Sequence, residues 1–157
     1  MVSEAEKYLH DAGLLENSFA ARSSAASLFK VLALEILLKA AGLAYIGRYS
    51  RTHNYVALWD DLPAQVRDDI LAIGATRFAG HTDLSDVKML LRNYELVFTK
   101  VRYHYELYEG YSLAEQKQLG DYWIELGAPK NESIVNFHPM ELSAILYGLQ
   151  QVITNAP

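Results

Sequence analysis

The feature of this sequence that most constrains its fold is an unbroken helical pattern of apolar residues from Leu84 to Tyr108. Steps of three and four residues separate the members of the pattern, which places them on one face of an α-helix. Its members are Leu84, Val87, Leu91, Tyr94, Phe98, Val101, Tyr105 and Tyr108. The pattern predicts one long helix whose apolar stripe packs against a neighbouring helix.

Helical periodicity also dominates the rest of the chain, and no run of strict alternation predicts a strand. Further helices are expected over residues 3–9, 18–46, 53–59, 64–73, 112–126 and 140–152. Thr82 is the expected N-cap of the long helix, and the glycines within 74–81 predict a loop before it. Gly47 is the expected stop of the helix 18–46, and Ser112 with Glu115 forms a capping-box pattern.

These elements predict an all-α fold, a helical bundle of six to seven helices with two long antiparallel helices. At 157 residues the chain has the length of one domain with a core of useful size. No repeat, low-complexity tract or long linker divides it, so we predict a single helical domain over 1–157.

Composition restricts where the protein works and what chemistry it uses. There is no cysteine, which excludes disulfides and thiolate chemistry and suits a reducing compartment. The first residues lack the basic-then-apolar order of a secretory signal, so a cytoplasmic location is expected.

The apolar segment 28–46 contains Lys30, Glu35 and Lys39, which favours a buried helix over a membrane span. Glu35 and Lys39 have the i,i+4 spacing typical of a surface ion pair.

The net charge of −5 lies in the last third of the chain. Residues 1–105 carry twelve acids and twelve Lys or Arg, whereas 106–157 carry seven acids and two lysines. A strongly basic face, typical of nucleic-acid binders, is therefore absent from the composition as a whole. Lys30, Lys39 and Arg48 outnumber Glu35 within 22–51, which leaves open a local basic patch or a solvated helix face.

Familiar catalytic motifs are missing, including phosphate-binding glycine loops, the Gly-x-Ser-x-Gly elbow and His-Glu-x-x-His. The five histidines, at positions 10, 53, 81, 104 and 138, are too dispersed to form a local metal pair. We therefore expect no metal and no cofactor.

Three segments occur in an order that is shared with a known family. They are Leu34-Glu35-Ile-Leu-Leu-Lys39, Thr52-His53-Asn54-Tyr55-x-x-Leu58 and Phe98-x-x-x-Arg102-Tyr103-x-Tyr105-Glu106. This order resembles the HEPN superfamily of prokaryotic helical domains, with a HEPN-like core over about 18–109 and a C-terminal helical extension over 112–153. The resemblance implies a bundle of four or more helices and frequent homodimerisation. It also implies association with RNA cleavage in toxin and phage-defence systems, or with nucleotide-linked partners.

Catalytic members of that family carry an arginine followed, after four to six residues, by a histidine. The resemblance implies that the arginine binds the phosphate and that the histidine positions or deprotonates the ribose 2′-hydroxyl. In this chain Arg102 and His104 are only two residues apart, and Arg92 precedes His104 by twelve. The spacing is met by Arg48 and His53, which lie in a connection between helices.

Two functional hypotheses follow. The favoured one is a dimeric, non-catalytic interaction module of a defence, toxin-antitoxin or stress system that binds a protein, RNA or nucleotide partner, with Tyr103, Arg48 and His53 as contact residues. The alternative is a metal-independent RNA endonuclease with a composite site at a dimer seam. Its candidate catalytic residues are Arg102, His104, Glu106 and Arg92. Structural roles remain open for two of these residues: His53 as a helix cap or buried hydrogen-bonded ring, and Arg102 as an ion-pair partner of Glu106 or Glu95.

Overall fold

The computed structural model describes residues 1–18, 24–100, 110–125, 127 and 136–156. Within these ranges the chain forms seven α-helices and no strand, which confirms the predicted all-α helical bundle. The helices are α1 (Val2–Ser18), α2 (Ser24–Ile46), α3 (Tyr55–Asp60), α4 (Ala64–Arg77), α5 (Val87–Lys100), α6 (Leu113–Glu125) and α7 (Pro139–Thr154).

The longest helix, α2, is at the centre of the core. It contacts α1, α3, α5 and α7, while α4 packs along α7 and α3 also packs on α5. The largest fully buried aliphatic side chains come from α2, α4, α5 and α7, and they include Leu34, Leu37, Leu38, Ile70, Leu90, Leu91, Leu142, Ile145 and Leu149. Among the described helices, α6 alone contributes no buried residue to this core. None of the helices in the described ranges has both the length and the apolar character needed to cross a bilayer.

The apolar stripe of the predicted long helix is buried where the structure describes it. Leu91 and Tyr94 of α5 are fully buried, and Phe98 packs against the same core. The expected start of this helix was wrong, because α5 begins at Val87. Asp86, rather than Thr82, provides the cap: its carboxylate accepts the backbone N–H of Met89 at 2.9 Å. The rest of the predicted helix, 101–108, lies outside the described residues.

The loop expected over 74–81 was also partly wrong, since α4 continues to Arg77. Gly74 lies where α4 crosses α7, and a Cβ atom there would come within 2.6 Å of the carbonyl oxygen of Ala144. A Cβ on Gly148 of α7 would likewise overlap the carbonyl oxygen of Ile70. These two glycines permit a close approach of helix backbones, so Gly74 is a packing residue and not a helix breaker.

The first helix is longer than the expected 3–9, because its apolar face continues to Ala12, which is fully buried. Two expected helix ends are confirmed. Gly47 follows α2 with a φ of 73° and donates its N–H to the carbonyl of Leu43 at 3.1 Å. At the start of α6, Ser112 N–H donates to Glu115 Oε2 at 2.7 Å, and Glu115 N–H donates to Ser112 Oγ at 3.3 Å.

Candidate functional site

The site begins with a buried carboxylate on α2. Glu35 is the one charged residue that is buried in the described part of the chain. Its Oε1 accepts a hydrogen bond from Lys39 Nζ at 2.7 Å and lies 2.9 Å from Nδ1 of His53. The side chains of Glu35 and Lys39 are only 9% and 14% exposed, so the expectation of an ordinary surface ion pair was wrong. The pair is part of a largely buried network that extends to His53.

The connection between α2 and α3 presents His53 to this carboxylate. Thr52 Oγ1 accepts the N–H of Asn54 at 3.0 Å, and Asn54 Oδ1 accepts the N–H of Ala57 at 2.7 Å as the N-cap of α3. This local turn fixes the backbone on both sides of His53. The cap belongs to Asn54, so His53 is neither a helix cap nor a buried ring.

The His53 side chain is 67% exposed, although one of its nitrogens contacts a buried acid. Its ring stacks on Phe98 of α5, with centroids 6.2 Å apart and planes inclined by 22°. An ionised carboxylate only accepts hydrogen bonds, so we assign the proton to Nδ1, and in the neutral ring Nε2 then carries the free lone pair. Glu35 and Phe98 together orient an imidazole that solvent can reach.

Tyr55 and Glu95 form the inner wall of the site. The backbone N–H of Tyr55 donates to Glu95 Oε2 at 3.2 Å, and the buried hydroxyl donates to the carbonyl of Val31 at 3.3 Å. Burial raises the pKa of Tyr55, and the charges of Glu35 and Glu95 raise it further. Tyr55 therefore remains a neutral phenol beside the carboxylates. The second oxygen of Glu35, Oε2, is buried and accepts no hydrogen bond from any residue in the described ranges.

A cavity of about 350 Å³ adjoins this network. Lys39 and Arg48 contribute two cations to its lining, with Ser50 and Asp61 among the polar groups. No described carboxylate lies within ion-pair distance of Arg48, whereas Lys39 is paired with Glu35. The connection lies close to α2 at Gly42, where a Cβ atom would be 3.1 Å from the carbonyl oxygen of Arg48.

The structure thus groups two of the predicted contact residues around one ion pair. Arg48 shares its cavity with Lys39, and Lys39 shares Glu35 Oε1 with His53. Arg92 is exposed on α5, with no described contact to this network. The other candidates, Arg102, Tyr103, His104 and Glu106, lie outside the described residues.

Sequence reasoning did not identify Glu35 as a site residue. The available signal was a single acid within an otherwise apolar stretch of α2, next to Leu34 and Ile36. Within the described ranges, no three His, Asp or Glu side chains converge as metal ligands would. The arrangement offers an oriented imidazole and, in the adjoining cavity, a guanidinium without an ion-pair partner among the described residues. The guanidinium suits binding of an anion, and the imidazole suits proton transfer.

Comparison with protein-family models, with curated proteins and with solved structures finds no match for this chain.

Proposed function

We propose that this chain is a HEPN-like helical interaction module of a prokaryotic defence, toxin-antitoxin or stress system, which binds the phosphate groups of RNA or of a nucleotide without cleaving them. The observation that carries the proposal is the cavity lined by Lys39 and Arg48, in which Lys39 shares the Glu35 carboxylate with the exposed His53. Guanidinium and ammonium groups are the side-chain donors that bind phosphate oxygens most strongly.

The resemblance contributes a second line of support. Glu35, Lys39 and His53 belong to the segments that resemble the family, and they form one network in this fold. Asn54, from the same segments, caps α3. The proposed homodimer rests on the resemblance alone. The non-catalytic assignment rests on the Arg-to-His spacing in 92–104 and on the net charge of −5.

The test is a binding assay with a fluorescent single-stranded RNA 12-mer, and with ATP as the nucleotide probe. We expect Arg48→Gln to weaken binding about tenfold, since it removes a charge-assisted hydrogen bond from the guanidinium. Arg51→Gln is the matched control, because Arg51 is exposed in the same connection but does not line the cavity. Unchanged binding by Arg48→Gln, or an equal loss with Arg51→Gln, would contradict the proposed site.

A second candidate function is a metal-independent RNA endonuclease with a composite site at a dimer seam. The orientation of His53 favours it, because Glu35 at Nδ1 leaves Nε2 free to transfer a proton. Phe98 stacks on this ring, and Arg102 and His104 follow Phe98 by four and six residues in the sequence.

The two candidates differ in an RNA cleavage assay performed in EDTA. The endonuclease predicts cleavage that Arg102→Ala and His53→Ala each abolish. A protein that forms a stable dimer and binds RNA but leaves it intact would remove the endonuclease and retain the interaction module.

A further inference from the structure

A second cleft, of about 530 Å³, shares no residue with the site around His53. It lies between α1, the end of α4 and α7, and Lys30 of α2 also lines it. The cleft has a volume within the usual range of ligand pockets, about 300–1,000 Å³. Its distinctive feature is the side chain of Arg77, the last residue of α4.

Two aromatic rings fix the guanidinium of Arg77. Its Cζ lies 5.4 Å from the ring centroid of Tyr147 and 5.8 Å from that of Phe78. A guanidinium stacked on aromatic faces keeps its N–H edge available for a planar anion. Contact with two rings also reduces the number of rotamers that the side chain must give up when an anion binds.

Arg77 is the available cation of this cleft. No carboxylate in the described ranges lies within ion-pair distance of Arg77, including Glu6, which lines the same cleft. Lys30, the other cation, is bound by both carboxylate oxygens of Glu16 at 2.6 and 2.8 Å. Among the described residues that line the cleft, Arg77 therefore carries the positive charge without an ion-pair partner, and Glu6 carries a carboxylate that is also unpaired.

Most of the residues that line the cleft come from α7. The carboxamides of Gln150 and Gln151 are half-buried and make no hydrogen bond with any described residue. Each carboxamide has donors and an acceptor, which is also the pattern of a peptide group. Leu9 and Leu146 supply apolar surface beside them.

We propose that this cleft binds a short acidic peptide segment of a protein partner. Arg77 binds an Asp or Glu carboxylate of the segment through two parallel N–H groups, and Gln150 and Gln151 pair with its peptide groups. An apolar side chain of the segment packs on Leu9 and Leu146. A single unpaired guanidinium matches the one carboxylate of an Asp or Glu side chain.

The test is an NMR titration of the full chain with two pools of acetylated, amidated pentapeptides. One pool has Asp at the central position and the other has Asn, and the remaining positions are random. We expect the Asp pool to shift the side-chain amide signals of Gln150 and Gln151 saturably, with an apparent Kd about tenfold lower than that of the Asn pool. Arg77→Gln should abolish this preference.

Arg67→Gln is the matched control, because Arg67 is on the same helix but binds Asp60 at 3.2 Å. It should retain the preference for the Asp pool, and thermal melts establish that both variants are folded. The proposal is overturned if the two pools bind equally, if the preference survives Arg77→Gln, or if inorganic phosphate binds the cleft more tightly than the Asp pool. RNA binding by Arg77→Gln should equal that of the unaltered chain, so this proposal and the function proposed for the His53 site can fail independently.

Discussion

Glu35 places a negative charge on the core-facing side of α2, where an unpaired carboxylate would be strongly destabilising. One of its oxygens has two partners, Lys39 and His53, while the other has no donor among the described residues. Well-packed apolar residues in place of both Glu35 and Lys39 would avoid the desolvation cost of the pair. We therefore infer that the contribution of Glu35 lies in orienting His53 and Lys39 and not in stabilising the fold.

Even so, removing the carboxylate alone should destabilise the protein. Glu35→Ala leaves the largely buried ammonium of Lys39 without a counter-ion and creates a cavity beside Tyr55. We expect a loss of about 2–4 kcal/mol in the free energy of unfolding, measured by urea denaturation. Glu4→Ala is the control, since it removes an exposed pair with Lys7 and should cost less than about 0.5 kcal/mol. Similar losses in the two variants would contradict the buried network.

Among the elements, α6 begins with a capping box between Ser112 and Glu115. The Ser112 hydroxyl and backbone N–H both lower the pKa of Glu115 below its ordinary value of 4.5. The ionised carboxylate therefore stabilises the first turn of α6 above the unfolded-state pKa, and this contribution is lost as the pH falls through the folded-state pKa.

The pKa of Glu115 can be measured by carboxylate NMR of the full chain across the acidic pH range. Ser112→Ala should raise the pKa of Glu115 toward 4.5, because it removes the hydroxyl, the larger of the two causes, while the backbone N–H remains. Ser85→Ala is the control: it should leave Glu115 unchanged and instead raise the pKa of Asp83, which Ser85 lowers by the same kind of contact. A Glu115 titration that does not respond to Ser112→Ala would show that the cap does not form in solution.

The crossing of α4 and α7 depends on Gly148. A methyl group at this position would overlap the carbonyl oxygen of Ile70, which is backbone and cannot rotate away. We expect Gly148→Ala to lower the unfolding free energy by about 1–3 kcal/mol, the usual cost of overpacking. Gly13→Ala should be neutral or stabilising by up to about 1 kcal/mol, because nothing lies within 4 Å of its Cβ and alanine is the better helix former. Equal effects of the two substitutions would exclude the close crossing.

The helices themselves were largely predictable, because spacing of apolar residues is a local signal that survives in the folded chain. The buried stripe of α5 and the capping box of α6 are examples. The errors arose where tertiary packing gave a residue a different role. Gly74 was interpreted as a break, yet it continues α4 because α7 requires a position without a side chain there. Thr82 was the expected cap, but Asp86 provides it, because both residue types cap helices well and α5 begins after Asp86.

At the scale of the molecule, the sites were less predictable than the helices. Arg48 and His53 were candidate contacts, but the partners that define them belong to another element. Glu35 precedes His53 by eighteen residues, and the two meet only because the chain turns after Gly47 and returns along α2. Arg77 and Tyr147 are separated by 70 residues and meet at the junction of α4 with α7. No periodicity within one helix encodes such contacts.

Two buried tyrosines make the stability of the whole molecule sensitive to alkaline pH. Burial raises the pKa of Tyr55 and of Tyr94, and nearby carboxylates add to the effect. In the unfolded chain both phenols titrate near 10.0. Above that pH the folded state therefore keeps two protons that the unfolded state has lost. Their stabilising contribution is fully present below the unfolded-state pKa and is lost progressively as the pH rises above it.

Each such tyrosine should lower the free energy of unfolding by about 1.4 kcal/mol for every pH unit above 10. Tyr94→Phe should therefore reduce the slope of stability against pH between about 10 and 12 by roughly that amount, measured by urea denaturation at successive pH values. The lost hydrogen bond from Tyr94 to the carbonyl of His138 lowers stability at every pH, so the slope is the informative quantity. Tyr111→Phe is the control because Tyr111 is 50% exposed and lies outside the core. If the slope of stability against pH stays the same in Tyr94→Phe, solvent reaches Tyr94 in the folded protein. The contact between α5 and the start of α7 would then open before the molecule unfolds.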